Sequence, residues 1–592
     1  MIKKETILNL TQRLRVPSRI PHCSVEAFIQ VIVQVIAALL VVLIAQAVRA
    51  QNVTRTVSHE TENRAGVDQS KAVALTLQDA IRMSLENNRD IEVARLDVRL
   101  TEFDLRAARG AYDPVLNSSI YYERQTLPVA SLFAGGENGR LKSSDYVAAT
   151  SLAQQLPWHG GSVRLSFDNA RSTSENVFNL LDPQTNAKLS LEITQPLFRG
   201  RKIDLPRRNI KVANKRLDIS DSLFRQRIIQ VITAVQHAYW DLVFARRDEE
   251  IKRESVRLAL TQLESNQRAV EKGTVAPLDV ISARVEVERR TDEAEAALET
   301  LHRAENSLKE LLLEPGNSDA WNSALLPVEQ LEIEGAIVMQ FDEAMRLALA
   351  NRSEIEQYRL RGELNEIDIE YFHDRTKPQI DLIAGYTTMG LAGKERDSVN
   401  PITSGNQLLF DRVNQLSQVA GLPPLSPLPT ESVPGKFIGG YGQALSNLSG
   451  NEYRGFRFGV SISLPFGNRT AKAELGRALA EGRKIETERQ QIVQAIEVEV
   501  RNALQAIETA RRRVEAARNS RLDAEQQCDG EKRRFDAGLS TNFLVLDRQN
   551  ALSAARGREM KAIADYKKAV VELDSALSLT LTNNNISVAA LK

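Results

Sequence analysis

Leu77-Gln-Asp-Ala-Ile-Arg-Met-Ser-Leu-Glu-Asn87 returns 264 residues later as Phe341-Asp-Glu-Ala-Met-Arg-Leu-Ala-Leu-Ala-Asn351. The apolar positions, the acid in the first turn and the closing asparagine coincide. Further landmarks keep the same order. Asp113-Pro114 returns as Lys377-Pro378 at an offset of 264, and Gln195-Pro-Leu-Phe198 as Leu464-Pro-Phe466 at 269. Lys272-Gly273-Thr274 returns as Ala537-Gly538-Leu539 at 265. One such pair can arise by chance between helical sequences; four in register mean that the chain is written twice. The first repeat covers 75–315 and the second 337–582, with a linker at 316–336 and a tail at 583–592.

Within each repeat the pattern switches between helix and strand. From Leu75 to Tyr112 the apolar residues recur at helical spacing, and Pro114 disfavours helix in the residue before it. Period-two alternation follows. Leu189, Leu191 and Ile193 share one side of a strand, and Lys188, Ser190 and Glu192 the other. Phe456, Phe458, Val460, Ile462 and Leu464 alternate in the same way with Arg457, Gly459, Ser461 and Ser463. Strands are predicted at about 115–124, 187–196, 379–388 and 455–465, each with one greasy and one wet side.

Two long helical stretches follow each return strand. Between Gly200 and Gly273 the only proline is Pro206, near the start, where it is tolerated. A seam runs through Ile210, Ala213, Leu217, Ser220, Phe224, Ile228, Val231, Val235, Ala238, Leu242 and Ala245. Its partner runs through Val280, Ala283, Val287, Arg290, Ala294, Ala297, Leu301, Ala304, Leu308 and Leu311. These are coiled-coil seams, rich in the alanine that lets helices approach closely. A 70-residue helix is about 105 Å long, a length that spans a compartment rather than a compact domain. Gly273 with Pro277, and Gly538 in the second repeat, mark the tips of two helical hairpins.

Composition agrees. Charged residues make up 26% and aromatics 5%, which suits solvated helices better than the four globular domains that length alone suggests. Lys+Arg and Asp+Glu both number 77, so no basic footprint for nucleic acid is present. Cys23 and Cys528 form no CxxC pair, and Cys23 precedes the apolar run instead of ending it, which argues against a lipid-attachment site. Residues 1–50 read as an export signal, with basic Lys3, Lys4, Arg13, Arg15 and Arg19 before an apolar run from Phe28 to Ala45. Ala45-Gln-Ala47 and Val48-Arg-Ala50 offer cleavage near 47 or 50, ahead of a polar segment at 51–74. The competing reading is an uncleaved inner-membrane anchor, against which Gln30 and Gln34 count.

After removal of the signal no comparable apolar stretch remains, so a mature membrane protein must cross with strands. Strands of roughly ten residues suffice when tilted. Four cannot close a barrel with a channel, because the smallest natural membrane barrels use eight. Open sheet edges cannot face lipid either, since their N–H and C=O groups would go unsatisfied. Several chains must pool their strands, and two hairpins per chain likewise make only an arc of a tube.

The ordered landmarks resemble the TolC outer-membrane efflux family over roughly residues 75–580: the Leu75-Thr-Leu-Gln-Asp-Ala-Ile81 start, the Asp-Pro and Lys-Pro strand starts, the Gln-Pro-Leu-Phe exit and the paired glycine tips. The resemblance implies a mainly α fold with a transmembrane β part, an internally duplicated helix–strand–helical-hairpin repeat. It implies a homotrimer whose twelve-stranded β-barrel crosses the outer membrane and continues as a long α-helical coiled-coil barrel in the periplasm. The function it implies is a passive channel subunit of a tripartite efflux or type I secretion system. The partners implied are a second and third copy, a periplasmic adaptor (membrane fusion) protein, an inner-membrane pump and outer-membrane lipid. The alternative is a periplasmic coiled-coil adaptor or scaffold held by an uncleaved N-terminal helix, in which the Phe456–Leu464 alternation has no purpose.

By resemblance the hairpin tips form the gated periplasmic entrance and touch the adaptor; here they are Gly273, Thr274 and Val275, and Gly538, Leu539 and Ser540. Family members can carry two acids, three apart, just after the second tip, which threefold symmetry turns into constricting rings. Those positions are Leu544 and Asp547, of which only Asp547 keeps its acid; Asp279 is the first-half equivalent of the first position. A three-carboxylate ring attracts cations, whereas an exposed helix carboxylate without a role is the plainer reading. Tyr239-Trp240 and His237 read as wall packing, and Pro157-Trp-His-Gly-Gly161 as a turn. That turn centres a further hairpin at about 146–168, whose relation to the barrel the residues leave open. A Gly/Pro/Ser-rich loop fills 389–453. No HExxH, GxSxG, GxxxxGK[ST] or GxGxxG occurs, and the resemblance calls for no enzyme activity and no cofactor.

Overall fold

A computed structural model describes residues 68–130, 139–176, 178–273, 276–316, 318–331, 339–396, 401–426 and 433–588. The expected signal peptide and residues 51–67 of the polar segment lie outside the described residues, as do Thr274 and Val275. The body beginning at Val67 is mainly helical, duplicated and completed by one sheet.

The duplication is explicit in the helices. In the first repeat α1 (Leu77–Asn87) and α2 (Arg89–Arg109) precede the strands, and α3 (Leu205–Glu271) and α4 (Pro277–Leu312) form the long hairpin. In the second, α5 (Phe341–Asn351), α6 (Ser353–Arg375), α9 (Arg469–Asp536) and α10 (Asn542–Ala576) repeat the plan. The lengths of α3 and α9 are 67 and 68 residues, and those of α4 and α10 are 36 and 35. Thr76 caps α1 by accepting from the Asp79 amide at 3.1 Å, and Asn88 caps α2 by accepting from Asp90 at 2.9 Å. These caps satisfy donors that the first helical turn leaves open.

The core is a helical seam at mid-length. Phe224, Ile228, Ile232, Val235, Tyr239 and Leu242 of α3 are buried with Val500 and Ile507 of α9 and Ile563 and Ala576 of α10. The seam read from the sequence is this buried stripe. Tyr239 and Trp240 pack edge to face, and the Tyr239 hydroxyl donates to the Leu75 carbonyl at 3.0 Å. That carbonyl belongs to β1 (Asp68–Leu75), which pairs in parallel with β6 (Ser323–Pro327). The polar segment thus ends in a strand, and the linker supplies its partner.

The sheet departs from expectation in its strand count. Six strands run in the order β2 (Val115–Pro128), β3 (Arg140–Gln155), β4 (Ser162–Ser174), β5 (Leu181–Pro196), β7 (Gln379–Glu395) and β8 (Tyr453–Ser463), every neighbour antiparallel. The twelve-stranded expectation counted four strands per chain; the count is corrected to six. The hairpin placed at 146–168 belongs to the sheet and is longer than its alternation indicated. Its apolar positions are interrupted by Ser144, Asn169 and Arg171, so hydrophobic periodicity alone truncates it. The segment 389–453 is not wholly loop: β7 extends to Glu395, and α7 (Pro401–Val419) and α8 (Tyr441–Ser449) follow.

Candidate functional site

Two regions hold the residues that the sequence singles out: the sheet and the hairpin tips. In the sheet, register joins Leu116, Leu152, Leu165, Leu191, Tyr386 and Phe456 into one unbroken apolar row across all six strands. Ile193, Ala384 and Phe458 form the adjacent row toward the helices. The opposite face carries the row Asn117, Ser151, Ser166, Ser190, Thr387 and Gly455, beside the cross-strand charge pairs Arg164–Glu192 and Asp168–Lys188. A concavity of ≈ 390 Å³ lies among Arg164, Lys188, Glu192, Thr387 and Arg457, on the wet side. A sheet concave on its wet face and with an apolar row on the other has the sidedness of a membrane barrel wall. Within the sheet β2 and β8 each have one neighbour.

The connections to α2, α3, α6 and α9 leave one end of the sheet, and the long insertion with α7 and α8 leaves the other. There α8 lies against the apolar face, its Ala444 buried with Ala187 and Ala392. Gly390 makes this approach possible: a Cβ on it would stand 2.0 Å from the Ala444 carbonyl oxygen and 2.6 Å from the Leu448 amide.

The tips match closely. In the first, the Gly273 amide donates to the Val270 carbonyl at 2.9 Å, and in the second Gly538 donates to Phe535 at 2.9 Å. Their φ angles are +72° and +75°, left-handed values that favour glycine. The second tip continues with Leu539, which is 71% exposed, and Ser540, whose hydroxyl donates to Glu531. Thr541 caps α10 by accepting from the Leu544 amide at 3.4 Å. On α10 Val545 and Leu546 are buried, leaving Phe543, Leu544 and Asp547 on the exposed side. Leu544 and Asp547 therefore share a face, as spacing of three requires. Asp279 is half-buried at the start of α4, and its carbonyl accepts from Asn266 at 3.4 Å. The structure places it beside the wall seam rather than on a fully exposed face.

A polar hub between the hairpins escaped the sequence reading. Glu286 Oε1 accepts from Arg289 at 2.6 Å, from Arg290 at 2.8 Å and from Asn550 of α10 at 2.7 Å. Arg290, fully buried, also donates to the Ser255 carbonyl of α3 at 3.0 Å. Burial opposes the charge on Glu286, but these hydrogen bonds outweigh it and hold its pKa at about 2. The signal available was an arginine inside an apolar seam; its acid lies one turn away, but Asn550 cannot be found by spacing. Closer to the tips, Gln262 of α3 donates to Asn542 of α10 at 2.7 Å. His237 lies 3.4 Å from Glu572, and burial lowers its pKa.

The family profile of the outer membrane efflux proteins matches residues 80–312 and again 344–578. Those two stretches are the two repeats. The chain belongs to the outer membrane efflux protein family, and it is an outer-membrane efflux channel protein whose helices extend into the periplasm. Among solved structures it resembles a Pseudomonas aeruginosa membrane protein at 19% identity and a TM-score of 0.57, over 85% of this chain and 90% of that one. The CmeC outer membrane channel of Campylobacter jejuni is similar at 14% identity and a TM-score of 0.55, covering 87% and 90%. The open MtrE outer membrane channel of Neisseria gonorrhoeae aligns at 17% identity and 0.55, covering 85% and 88%. Comparison with curated proteins by sequence finds no match.

Proposed function

We propose that three copies of this chain close a passive duct from the periplasm to the exterior, serving a tripartite efflux or type I secretion system. The observation that carries this reading is the sheet, which has an apolar row running unbroken across all six strands and an edge strand at each side. Lipid cannot satisfy the N–H and C=O groups along β2 and β8, so the β8 edge of one copy pairs with β2 of the next. The same copies set their hairpins side by side as a helical tube. Energy then comes from an inner-membrane pump, reached through a periplasmic adaptor that docks at Gly273, Thr274, Val275, Gly538, Leu539 and Ser540. Exposed Leu278 and Phe543 beside these tips supply the apolar anchors such a contact needs.

At the tube entrance Asp547 forms a ring of three carboxylates, with Leu544 one turn nearer the tip as an apolar ring. Asp279 lines the same level from the first hairpin with less of its side chain exposed. Purified outer membranes, run unheated and heated on denaturing gels, test the assembly: a band at three times the chain mass that collapses on heating is expected, and a monomer under both conditions overturns the reading. Planar-bilayer recording of Asp547→Ala tests the gate. Loss of cation preference is expected; an unchanged reversal potential in a salt gradient removes Asp547 from the constriction.

A further inference from the structure

We propose that the assembled barrel has eighteen strands and a correspondingly wide outer mouth, because the β3–β4 hairpin is built into the wall instead of lying beside it. The inference rests on the three-copy reading above. Hydrogen-bonded register runs unbroken from Val115↔Ala153 to Pro128↔Arg140 on one side of β3, and from Ser143↔Ser174 to Gln155↔Ser162 on the other. β4 is then paired from Ser162↔Thr194 to Ser172↔Gln184 with β5. To expel the hairpin, both outer ladders would have to break and β2 would have to pair directly with β5.

Three further features fit a hairpin inside the wall. Its apolar positions Leu152 and Leu165 complete the greasy row between Leu116 and Leu191, and Ser151 and Ser166 complete the wet row. An insertion of two strands preserves the up-and-down alternation of every neighbour, as a closed antiparallel barrel with an even strand number requires. The turn of the hairpin, at the helical end, is seated at the start of α3. Gln195 donates to the His159 carbonyl at 2.8 Å, and a Cβ on Gly160 would stand 2.4 Å from the Gly200 carbonyl oxygen.

Strands spaced by about 4.8 Å and tilted by about 40° close at a backbone diameter of roughly 36 Å for eighteen and roughly 24 Å for twelve. The helical tube receives no added helix from the hairpin, so widening is confined to the membrane part. The outer mouth therefore widens while the helical tube and its tips do not. The lining is hydrated and of mixed charge, with Arg164, Asp168, Lys188, Glu192 and Arg457 on the wet face. That suits bulky hydrated cargo better than a mouth of two-thirds the diameter would.

A spin label at Met389→Cys, with Cys23 and Cys528 changed to Ser, reports the diameter through dipolar distances between copies in the full-length assembly. Met389 is exposed on the wet side of β7 and is paired only through backbone. Three copies in an eighteen-stranded barrel place the labelled Cα positions roughly 31 Å apart, and in a twelve-stranded one roughly 21 Å. The longer distance, with a modulation depth for three spins, is expected. A three-spin signal at the shorter distance overturns the wide barrel while leaving the trimer standing. A signal from one or two spins overturns the three-copy reading itself. A second variant lacking residues 140–174 joins β2 to β5 and is expected to shorten the distance by about one-third; an unchanged distance overturns the place of the hairpin in the wall.

Discussion

The two halves of the chain agree where they are helical and part company where they cross the membrane. Both long hairpins have arms equal to within one residue, and their tips turn through the same glycine geometry. Between the strands, the first half inserts the β3–β4 hairpin, whereas the second inserts helices α7 and α8 beyond β7. The difference separates two kinds of constraint. Every residue added to one helical arm moves its tip by about 1.5 Å relative to the other, so hairpins that share an entrance must keep equal lengths. A sheet accepts strands in pairs at no such cost, and a segment beyond its outer end is bounded by nothing.

The largest expected effect comes from breaking the equality. Inserting one seven-residue turn pair into α9 and its complement into α10 keeps the seam in phase but lowers the second tip by about 10 Å. Export, measured as accumulation of a pump substrate in cells, is expected to fall to the level of a strain lacking the channel. Matching insertions in α3 and α4 should restore it. Rescue by the double insertion is the decisive arm, since a merely misfolded chain would not recover. Full export with only one hairpin lengthened would show that the equal lengths are inherited, not required.

The next effect lies on the divergent side. A side chain at Gly390 has no space beneath α8, whereas Gly455 and Gly459 of β8 have nothing within 4 Å of a Cβ. Gly390→Ala is expected to cost about 1–3 kcal/mol, the usual range for overpacking, and to release α8 from the sheet. Hydrogen exchange over 441–449 should then rise at least tenfold, while Gly459→Ala leaves it unchanged. Equal protection in the two variants would mean that α8 is not held by this contact.

How much of this was legible follows the same division. The helices could be read because a long coiled seam repeats its information every turn: Phe224, Ile228, Val235 and Leu242 each restate the phase, and the second repeat restates it all. The tips could be read because glycine at positive φ has few substitutes. β5 and β8 alternate cleanly and were found. β3 and β4 were found only in part, because an interior wall strand of a wet channel must be polar on one face and tolerates serine on the other. Ser144, Asn169 and Arg171 fall on the apolar side near its outer end, where the lipid-facing pattern runs out. Register, the property that puts the hairpin into the sheet, depends on partners far away in sequence. The tip acid Asp547 was legible as a position, but its exposure depends on Val545 and Leu546 turning inward.

The subtlest prediction concerns a feature present once instead of twice. At the 265-residue offset of the tips, Glu286 corresponds to Ala551, so only the first hairpin supplies the carboxylate that gathers Arg289, Arg290 and Asn550. Its pKa of about 2 in the folded chain lies below the value of roughly 4.3 expected when unfolded. The unfolded chain therefore takes up this proton first on acidification. The stabilisation is complete above the unfolded value and is lost as pH falls from there through about 2, a contribution on the order of 2–3 kcal/mol at neutral pH. Glu286→Gln keeps the shape and removes the charge. Helical melting followed by circular dichroism should show the variant less stable at pH 6, and its Tm should fall less than that of the wild type between pH 5 and pH 3. Parallel pH profiles would mean that Arg290 is held well enough by the Ser255 carbonyl alone, and that the asymmetry between the halves at this level has no energetic consequence.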